Sequence, residues 1–263
     1  MKPLQHLKIL ELSRALACPF ATMILAELGA TVIKVEQPGE GDETRGSEPR
    51  LARDSSEYFA CNRSKASITA NLRSPEGQTV IRELAQKVDV VVEDFAAGTL
   101  ARHGLDFTML STLNPALVYV SCTGGGPVKP GLPVADLTSG LWVAIGILAM
   151  LAGREKTGRG AHLDFSMLDG QVSLLALAAA PVGSVNDVAE ILADPQVRAR
   201  GLVGGFDYPG LGEFKALGLP FRFLGWDNPE IGAPPVPGAG TERVLKDLLG
   251  YSAERIEKLK FEL

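Results

Sequence analysis

Residues 8–36, KILELSRALACPFATMILAELGATVIKVE, decide the fold. Lys8–Leu12 is a short apolar run typical of a buried strand, and Thr31–Glu36 is a second run in which β-branched residues dominate. Between them, apolar side chains recur at helical spacing from Phe20 to Leu28, which predicts a helix. A strand, a helix and a second strand in this order predict a β-α-β unit with parallel strands and a right-handed crossover.

The same alternation of strands and helices continues downstream. Further helices are predicted over Ser74–Val88, Asp136–Leu151 and Ser166–Ala179, and further strands over Asp89–Glu93, Leu117–Cys122 and Ala161–Phe165. The helix at Asp136–Leu151 is apolar on most of its faces, so we expect it to be buried. This pattern predicts an α/β fold, a doubly wound, Rossmann-like and mostly parallel sheet flanked by helices.

The last third of the chain has a different composition. From Pro181 onward glycine and proline are frequent and strand patterns are weak. Residues 231–240 are predicted to form an extended loop, followed by closing helices over Thr241–Leu249 and Ser252–Lys260.

Composition excludes several classes of protein. Among 263 residues, 26 are Lys or Arg and 31 are Asp or Glu, and 26 − 31 gives a net charge of −5, which argues against a nucleic-acid partner. The longest apolar run, Leu141–Ala152, is too short to cross a bilayer. The three cysteines lack paired spacing and fit a reducing compartment, so we predict a cytoplasmic protein without membrane attachment. The three histidines are scattered, and no metal site is predicted.

The first turn after a strand lacks the signature of a dinucleotide-binding protein. Residues 12–19, LSRALACP, contain no glycine, whereas a backbone that approaches a pyrophosphate needs GxGxxG there. Glu36 is therefore interpreted as an ordinary carboxylate at the end of a strand and not as a ribose ligand. Gly124–Gly126 lacks the Lys-Ser/Thr of a P-loop and is interpreted as a connector.

Four stretches of the chain together resemble one known family. They are LKILELSRALACPFATMILAELGATVIKVEQPGEGDETRG (7–46), NRSKASITANLRSPEG (62–77), VVVEDFAAGTLARHGLDFTMLSTLNPALVYVS (90–121) and VADLTSGLWVAIGILAMLAGREKTGRGAHLDFSMLDG (134–170). In order and spacing they are similar to the class III coenzyme A (CoA) transferases, the CaiB/BaiF family. Residues 185–203 and 220–223 resemble the C-terminal end of that family.

The chain departs from this family in length. Segments are missing after VYVSCTGGG and after LLALAAA, so the resemblance implies a large domain without the family's small domain. Residues 1–180 would be the N-terminal part of this domain, and residues 181–263 its C-terminal part, joined directly. Smaller departures include Cys18 in place of glycine and EDFAAG at 93–98 in place of ENFxPG.

The resemblance places the nucleophile on Asp136. In the family an aspartate attacks the acyl-CoA thioester and carries CoA as an aspartyl thioester. The residues alone also permit Asp136 to be only a helix N-cap. A helix N-terminus favours an ionised carboxylate by about 0.3–1 kcal/mol, which suits either role.

The resemblance also implies residues that contact CoA. CoA carries a diphosphate and a 3′-phosphate, which require cations and free backbone N–H groups. For the charged residues the alternative is a solvated surface charge, and Phe95 is a candidate to pack on the adenine. The positions implied by the resemblance are Arg14, Ala17, Lys65, Arg73, Phe95 and Arg102.

These observations predict a CoA-transferase that moves CoA from an acyl-CoA such as succinyl-CoA to a carboxylic acid, with no permanently bound cofactor. Turnover is expected to be weak because the missing small domain would have covered the intermediate. Two alternatives stay open, a 2-methylacyl-CoA racemase and a non-catalytic CoA-binding domain. A monomer or a simple homodimer is expected instead of the family's interlocked dimer, because the linkers to the small domain are missing.

Overall fold

A computed structural model describes residues 2–51, 53–123, 134–167, 203–208, 212–217 and 231–259. The strands in these ranges are β1 (Lys8–Glu11), β2 (Thr31–Glu36), β3 (Arg50–Leu51), β4 (Asp54–Ser55), β5 (Ala66–Thr69), β6 (Val90–Glu93), β7 (Val118–Thr123), β8 (His162–Ser166), β9 (Val203–Tyr208) and β10 (Gly212–Leu217). The α-helices are α1 (Ala17–Glu27), α2 (Ser56–Asn62), α3 (Pro75–Ala85), α4 (Phe107–Leu113), α5 (Val134–Thr157), α6 (Thr241–Leu249) and α7 (Ala253–Leu259). Short 3-10 turns cover Glu43–Gly46 and Ala101–His103.

The main sheet has six strands in the order β5-β2-β1-β6-β7-β8, and all of its pairings are parallel. The chain proceeds from β1 outward through β2 to β5, and then returns to the other side of β1 with β6. The strand order therefore reverses between β1 and β6. In open α/β sheets such a point leaves a crevice at the carboxyl ends of the strands, where ligands bind.

Helices cover both faces of this sheet, as expected for a doubly wound α/β fold. On one face, α1 and α5 pack on Ile9, Val32, Val90 and Val118. On the other face, α3, α4 and α6 pack on Leu10, Ile33, Ile68, Val91 and Tyr119. Because helices cover both faces of the sheet, its strands carry mostly apolar side chains on both faces instead of alternating apolar with polar residues.

The helix α5 differs from its prediction in length and in burial. It runs over 24 residues from Val134 to Thr157, whereas the sequence predicted Asp136–Leu151. The prediction that most of its faces are buried is wrong, because Leu141, Trp142 and Ile145 are 43–56% exposed. Only the face that contacts α1 and the sheet is buried. By length and composition alone α5 could also cross a membrane, so the absence of membrane attachment stays a prediction.

Several strands were not predicted from the sequence. β5 forms one edge of the sheet. It lies within residues 62–77, a stretch that resembles the family but for which no strand was predicted. β9 and β10 pair antiparallel in the region where strand patterns are weak, and Phe206 and Tyr208 of β9 pack on Phe59 of α2. These aromatic contacts lie far apart in sequence and leave no local pattern. Of the predicted helix over 166–179 only residues 166 and 167 are described, and Ser166 belongs to β8. The boundary at 180/181 and the connector at Gly124–Gly126 lie outside the described residues.

Candidate functional site

A cleft of about 470 Å³ opens at the carboxyl ends of β1, β2, β5 and β6, beside the point where the strand order reverses. Its volume lies within the range of small-molecule sites. Three of the residues implied as CoA contacts line it together, Arg14, Arg73 and Phe95. The loops that follow β1, β5 and β6 supply one of these residues each. The topology therefore brings together side chains that are 22 or more residues apart in sequence.

Arg14 and Phe95 form one wall of the cleft. The Arg14 guanidinium carbon lies 4.9 Å from the centroid of the Phe95 ring, which is a cation–π arrangement. The backbone N–H of Arg14 donates to both carboxylate oxygens of Asp94, with N–O distances of 3.0 and 3.1 Å. Ala15 then turns the chain toward α1 with a left-handed φ of 61°, an uncommon conformation for a residue with a Cβ. Asp94 thus fixes the start of the turn that carries Arg14.

Asp94, which holds the Arg14 turn, is a carboxyl group with a shifted pKa. Burial raises its pKa from the ordinary 3.8 to about 7, although the Arg14 N–H acts in the opposite direction. The neighbouring Glu93 accepts the Phe95 N–H at 2.8 Å, and burial also raises the pKa of Glu93. Two carboxyl groups at the end of β6 therefore position the backbone of the Arg14–Phe95 wall.

Arg73 lies on the opposite wall, in the turn between β5 and α3. Its backbone N–H donates to Asn71 Oδ1 at 3.0 Å, while its side chain is exposed. Asn71 and Leu72 line the same wall, and His103 lies 3.2 Å from Gln78 Nε2 through its Nδ1. Arg14 and Arg73 are therefore the two guanidinium groups that the cleft presents to an anion.

Glu36 lines the cleft but is bound within the protein. Its two carboxylate oxygens accept from Arg45 Nε and a terminal Arg45 nitrogen, each at 2.7 Å, and one of them also accepts the Asp42 N–H at 2.8 Å. A carboxylate so occupied has few lone pairs left for a ribose. This agrees with its interpretation as an ordinary strand-end carboxylate.

Lys65 lies outside the lining of the cleft, and its role as a CoA contact stays a prediction. Its side chain is fully buried, and Nζ lies 2.7 Å from Glu11 Oε2 and 2.9 Å from the carbonyl oxygen of Pro19. Glu11 also pairs with Lys34 at 2.8 Å, and Lys34 pairs with Asp42 at 2.7 Å. Burial lowers the pKa of Lys65 to about 8 despite the attraction of Glu11. Lys65 is thus a member of a buried ion-pair network that connects β1, β2 and the first turn of α1.

Ala17 and Arg102 lie near the cleft but do not line it. Ala17 is the first residue of α1 and is buried, and no side chain caps this helix N-terminus. Arg102 is exposed in the 3-10 turn, next to His103. Their roles as CoA contacts stay predictions.

Asp136 lies in the first turn of α5, outside the lining of the cleft. One turn later, Gly140 packs directly on α1, since a Cβ built on it would lie 2.6 Å from the Ala17 carbonyl oxygen. The first turns of α1 and α5 are therefore neighbours. Asp136 is half-buried, and desolvation, with a smaller effect of the Glu57 charge, raises its pKa.

Two features of the site were missed by reasoning from the sequence. Asp94 was noted only as a departure from ENFxPG, and its hydrogen bonds to Arg14 depend on the β1–β6 pairing. The buried network did leave a signal, because Glu11 and Lys34 are charged residues inside otherwise apolar strands. Such residues are rarely buried without a partner.

Comparison with known protein families identifies the family of this chain. The model of CoA-transferase family III matches residues 4–126, 123–180 and 172–242. The chain belongs to CoA-transferase family III. The family match is divided into three pieces, and their junctions at 123–126 and 172–180 coincide with the places where the sequence predicts missing segments.

Relatives within the family are longer than this chain. Succinyl-CoA:glutarate CoA-transferase of Mus musculus is 27% identical over 389 aligned positions, covering 98% of this chain and 89% of the relative. Since this chain has 263 residues, at least 389 − 263 = 126 of those positions have no counterpart in it. Succinate–glutarate CoA-transferase of Agrobacterium fabrum is 36% identical over 66% of this chain, which spans about half (53%) of that relative.

Solved structures of the family share the fold. A CaiB/BaiF family protein from Brucella suis superposes with a TM-score of 0.81 at 26% identity, over 94% of this chain and 99% of that one. Rv3272 from Mycobacterium tuberculosis superposes with a TM-score of 0.79 at 20% identity, over 92% of this chain and 98% of that chain, which supports the fold alone.

Proposed function

We propose that this protein binds an acyl-CoA in the cleft and transfers CoA to a carboxylic acid by way of Asp136. The observation that carries the proposal is the meeting of Arg14, Arg73 and Phe95 in one cleft at the carboxyl edge of the sheet. Two guanidinium groups fit a ligand with several phosphates, and an aromatic ring beside them fits a purine. Family membership supports the same substrate class.

The proposed chemistry begins with a carboxylate oxygen of Asp136. It attacks the thioester carbonyl, the C–S bond breaks, and an acyl-aspartyl anhydride and a CoA thiolate result. The thiolate then attacks the aspartyl carbonyl and releases the donor acid as its carboxylate. The acceptor carboxylate repeats these two steps in reverse, so that CoA leaves on the acceptor and Asp136 is regenerated. No oxidant, metal or permanent cofactor is needed for this sequence of steps.

The position of Asp136 suits a nucleophile. Partial burial removes water from the carboxylate and raises its pKa, while the first turn of α5 favours the ionised form. The packing of Gly140 on α1 links the location of Asp136 to the loop that carries Arg14. A pantetheine arm that leaves the cleft past the first turn of α1 would therefore approach α5.

A trapping experiment tests this proposal. The protein is incubated with succinyl-CoA and then with hydroxylamine or borohydride, and the peptide that contains residue 136 is analysed by mass spectrometry. We expect a modified Asp136 in the wild type and no adduct in Asp136→Ala. Asp106→Ala is the matched control, because Asp106 also lies at a helix N-terminus, that of α4, and should leave the adduct unchanged. Absence of any adduct in the wild type would remove the enzymatic claim.

One observation favours a second candidate, a CoA-binding domain without turnover. At least 126 positions of the aligned Mus musculus relative have no counterpart in this chain. This candidate predicts measurable CoA affinity and no transfer for any pair of donor and acceptor acids. Calorimetry together with chromatography of the CoA esters distinguishes the two.

The partners follow from the same proposal. They are an acyl-CoA and a carboxylic acid, and the proposed location is the cytoplasm. The oligomeric state is proposed to be a monomer or a simple homodimer, with light scattering as its test. An interlinked dimer would contradict it.

A further inference from the structure

Asp94 is partly buried and has a different setting from the fully buried acids near the cleft. Glu11, Glu36 and Asp42 each form a close ion pair with a buried lysine or arginine. Asp94 instead accepts one backbone N–H, that of Arg14, with both of its oxygens. Asp94 does not itself line the cleft, but it lies between the end of β6 and the cleft residue Phe95 and accepts the N–H of the cleft residue Arg14.

We propose that Asp94 is a positioning residue that couples ligand binding in the cleft to the uptake of one proton. The inference rests on the proposed function, in which the ligand is CoA. The diphosphate of CoA is negatively charged, and a carboxylate directly next to the wall formed by Arg14 and Phe95 would repel it. When the ligand binds, a proton from the solvent adds to one Asp94 oxygen and the group becomes neutral.

The geometry allows this protonation without loss of the turn that carries Arg14. Because the Arg14 N–H is shared between two oxygens at 3.0 and 3.1 Å, one oxygen can take the proton while the other still accepts the hydrogen bond. Burial already brings the pKa of Asp94 to about 7, so neutralising it near neutral pH requires little free energy.

The charged and titratable side chains that face Asp94 do not prevent its protonation. Arg14 and Lys34 stabilise its charge, and Glu11 opposes it. Glu11 and Lys34 largely compensate each other, because they form an ion pair at 2.8 Å. The Cys18 thiol of α1 faces Asp94 as well, but its pKa is raised well above the ordinary value, so it stays neutral in the relevant range.

Calorimetric titration with 3′-dephospho-CoA tests the inference. This probe lacks the monoester phosphate that itself titrates near pH 6. Titrations at pH 6, 7 and 8, in two buffers with different ionisation enthalpies, give both the affinity and the number of protons taken up. If the ligand prefers neutral Asp94 about tenfold, linkage predicts roughly fivefold weaker binding at pH 8 than at pH 6, with about half a proton taken up at pH 7.

Asp94→Asn is the decisive variant. It is nearly isosteric, keeps an oxygen that can accept the Arg14 N–H, and has no titratable group, so affinity should become independent of pH and proton uptake should vanish. His103→Gln is the control for the imidazole in the cleft lining, and should retain the proton uptake. Proton uptake by the wild type is informative even if Asp94→Asn does not fold.

The possible failures are distinguishable. If the probe binds neither protein, the cleft is not a CoA site and the proposed function is overturned together with this inference. If it binds both proteins with the same pH dependence and the same proton uptake, the inference about Asp94 alone is overturned. Proton uptake lost in His103→Gln but kept in Asp94→Asn would assign it to His103 and also overturn the inference.

Discussion

We propose two kinds of task for single residues at this site, contact with the ligand and support of the turn that presents the contact. Arg14 belongs to the first kind, since its side chain is exposed in the cleft and stacks on Phe95. Lys65 belongs to the second kind, since its side chain is fully buried on Glu11 and on the Pro19 carbonyl. Both are basic residues near the same helix N-terminus, and the sequence alone could not separate them. Their substitutions should therefore differ in outcome.

Arg14→Ala should weaken CoA binding and leave stability nearly unchanged. The variant loses a charge-assisted contact to phosphate, which contributes about 1.5–3 kcal/mol, so we expect at least roughly tenfold weaker binding by calorimetry. Arg159→Ala is the matched control, because Arg159 is equally exposed but precedes β8 at the amino edge of the sheet. Equal losses in both variants would indicate a non-specific effect of charge and contradict the location of the site.

Lys65→Ala should have the opposite profile. Removal of one partner from a buried ion pair leaves Glu11 less compensated, which costs about 3–5 kcal/mol of the free energy of unfolding. Urea denaturation at pH 7 measures this loss, with Arg73→Ala as an exposed control expected to lie within about 0.5 kcal/mol of the wild type. Unchanged stability with weaker CoA binding would support Lys65 as a ligand contact.

At the scale of whole elements, apolar runs predicted five of the six strands of the main sheet well, but missed its edge strand β5 and the separate β9–β10 pair. β1, β2, β6 and β7 are apolar runs with β-branched residues, and their positions were predicted to within a residue or two. β9 and β10 depend on contacts with Phe59, far away in sequence, so local patterns could not predict them. The burial of α5 was predicted wrongly for a related reason. The apolar composition of a helix does not show how many of its faces are covered by neighbouring elements.

Two glycines of α5 test how closely this helix must approach α1. A Cβ on Gly140 would lie 2.6 Å from the Ala17 carbonyl oxygen and 3.1 Å from Phe20, whereas a Cβ on Gly153 would meet nothing within 4 Å. Gly140→Ala should therefore lower the free energy of unfolding by about 1–3 kcal/mol and displace Asp136. Gly153→Ala should raise it by about 0.5–1 kcal/mol through helix propensity.

Chemical denaturation and the yield of the trapped Asp136 adduct give the readouts for this pair. In Gly140→Ala we expect the adduct to fall together with stability, because Asp136 lies one turn from the close contact. In Gly153→Ala the adduct should be unchanged. If Gly140→Ala retains both stability and adduct, α5 and α1 do not pack as described.

For the whole molecule, the order of strands determines where the cleft lies. The segments missing relative to the family determine how well we expect an intermediate to be shielded from water. The β-α-β repeats predicted a parallel sheet but not its strand order. The reversal between β1 and β6 is seen in the structure, and the cleft lies beside it. The proposed CoA contacts in the cleft come from three separate loops, so only the family resemblance could predict them from the sequence. Neither the strand pattern nor the family resemblance could predict the role proposed for Asp94, because this role depends on burial and on one backbone hydrogen bond.

The absence of at least 126 positions present in the Mus musculus relative leads to a last prediction about the fate of the intermediate. An acyl-aspartyl anhydride on a half-buried Asp136 is open to water, and exclusion of water is what suppresses its hydrolysis. Succinyl-CoA should therefore be hydrolysed to succinate and CoA faster than CoA is transferred to an added dicarboxylate. Release of free thiol, compared with formation of the new thioester by chromatography, measures the ratio. Asp136→Ala should abolish both products, and transfer in excess of hydrolysis would mean that this chain shields its intermediate without the missing segments.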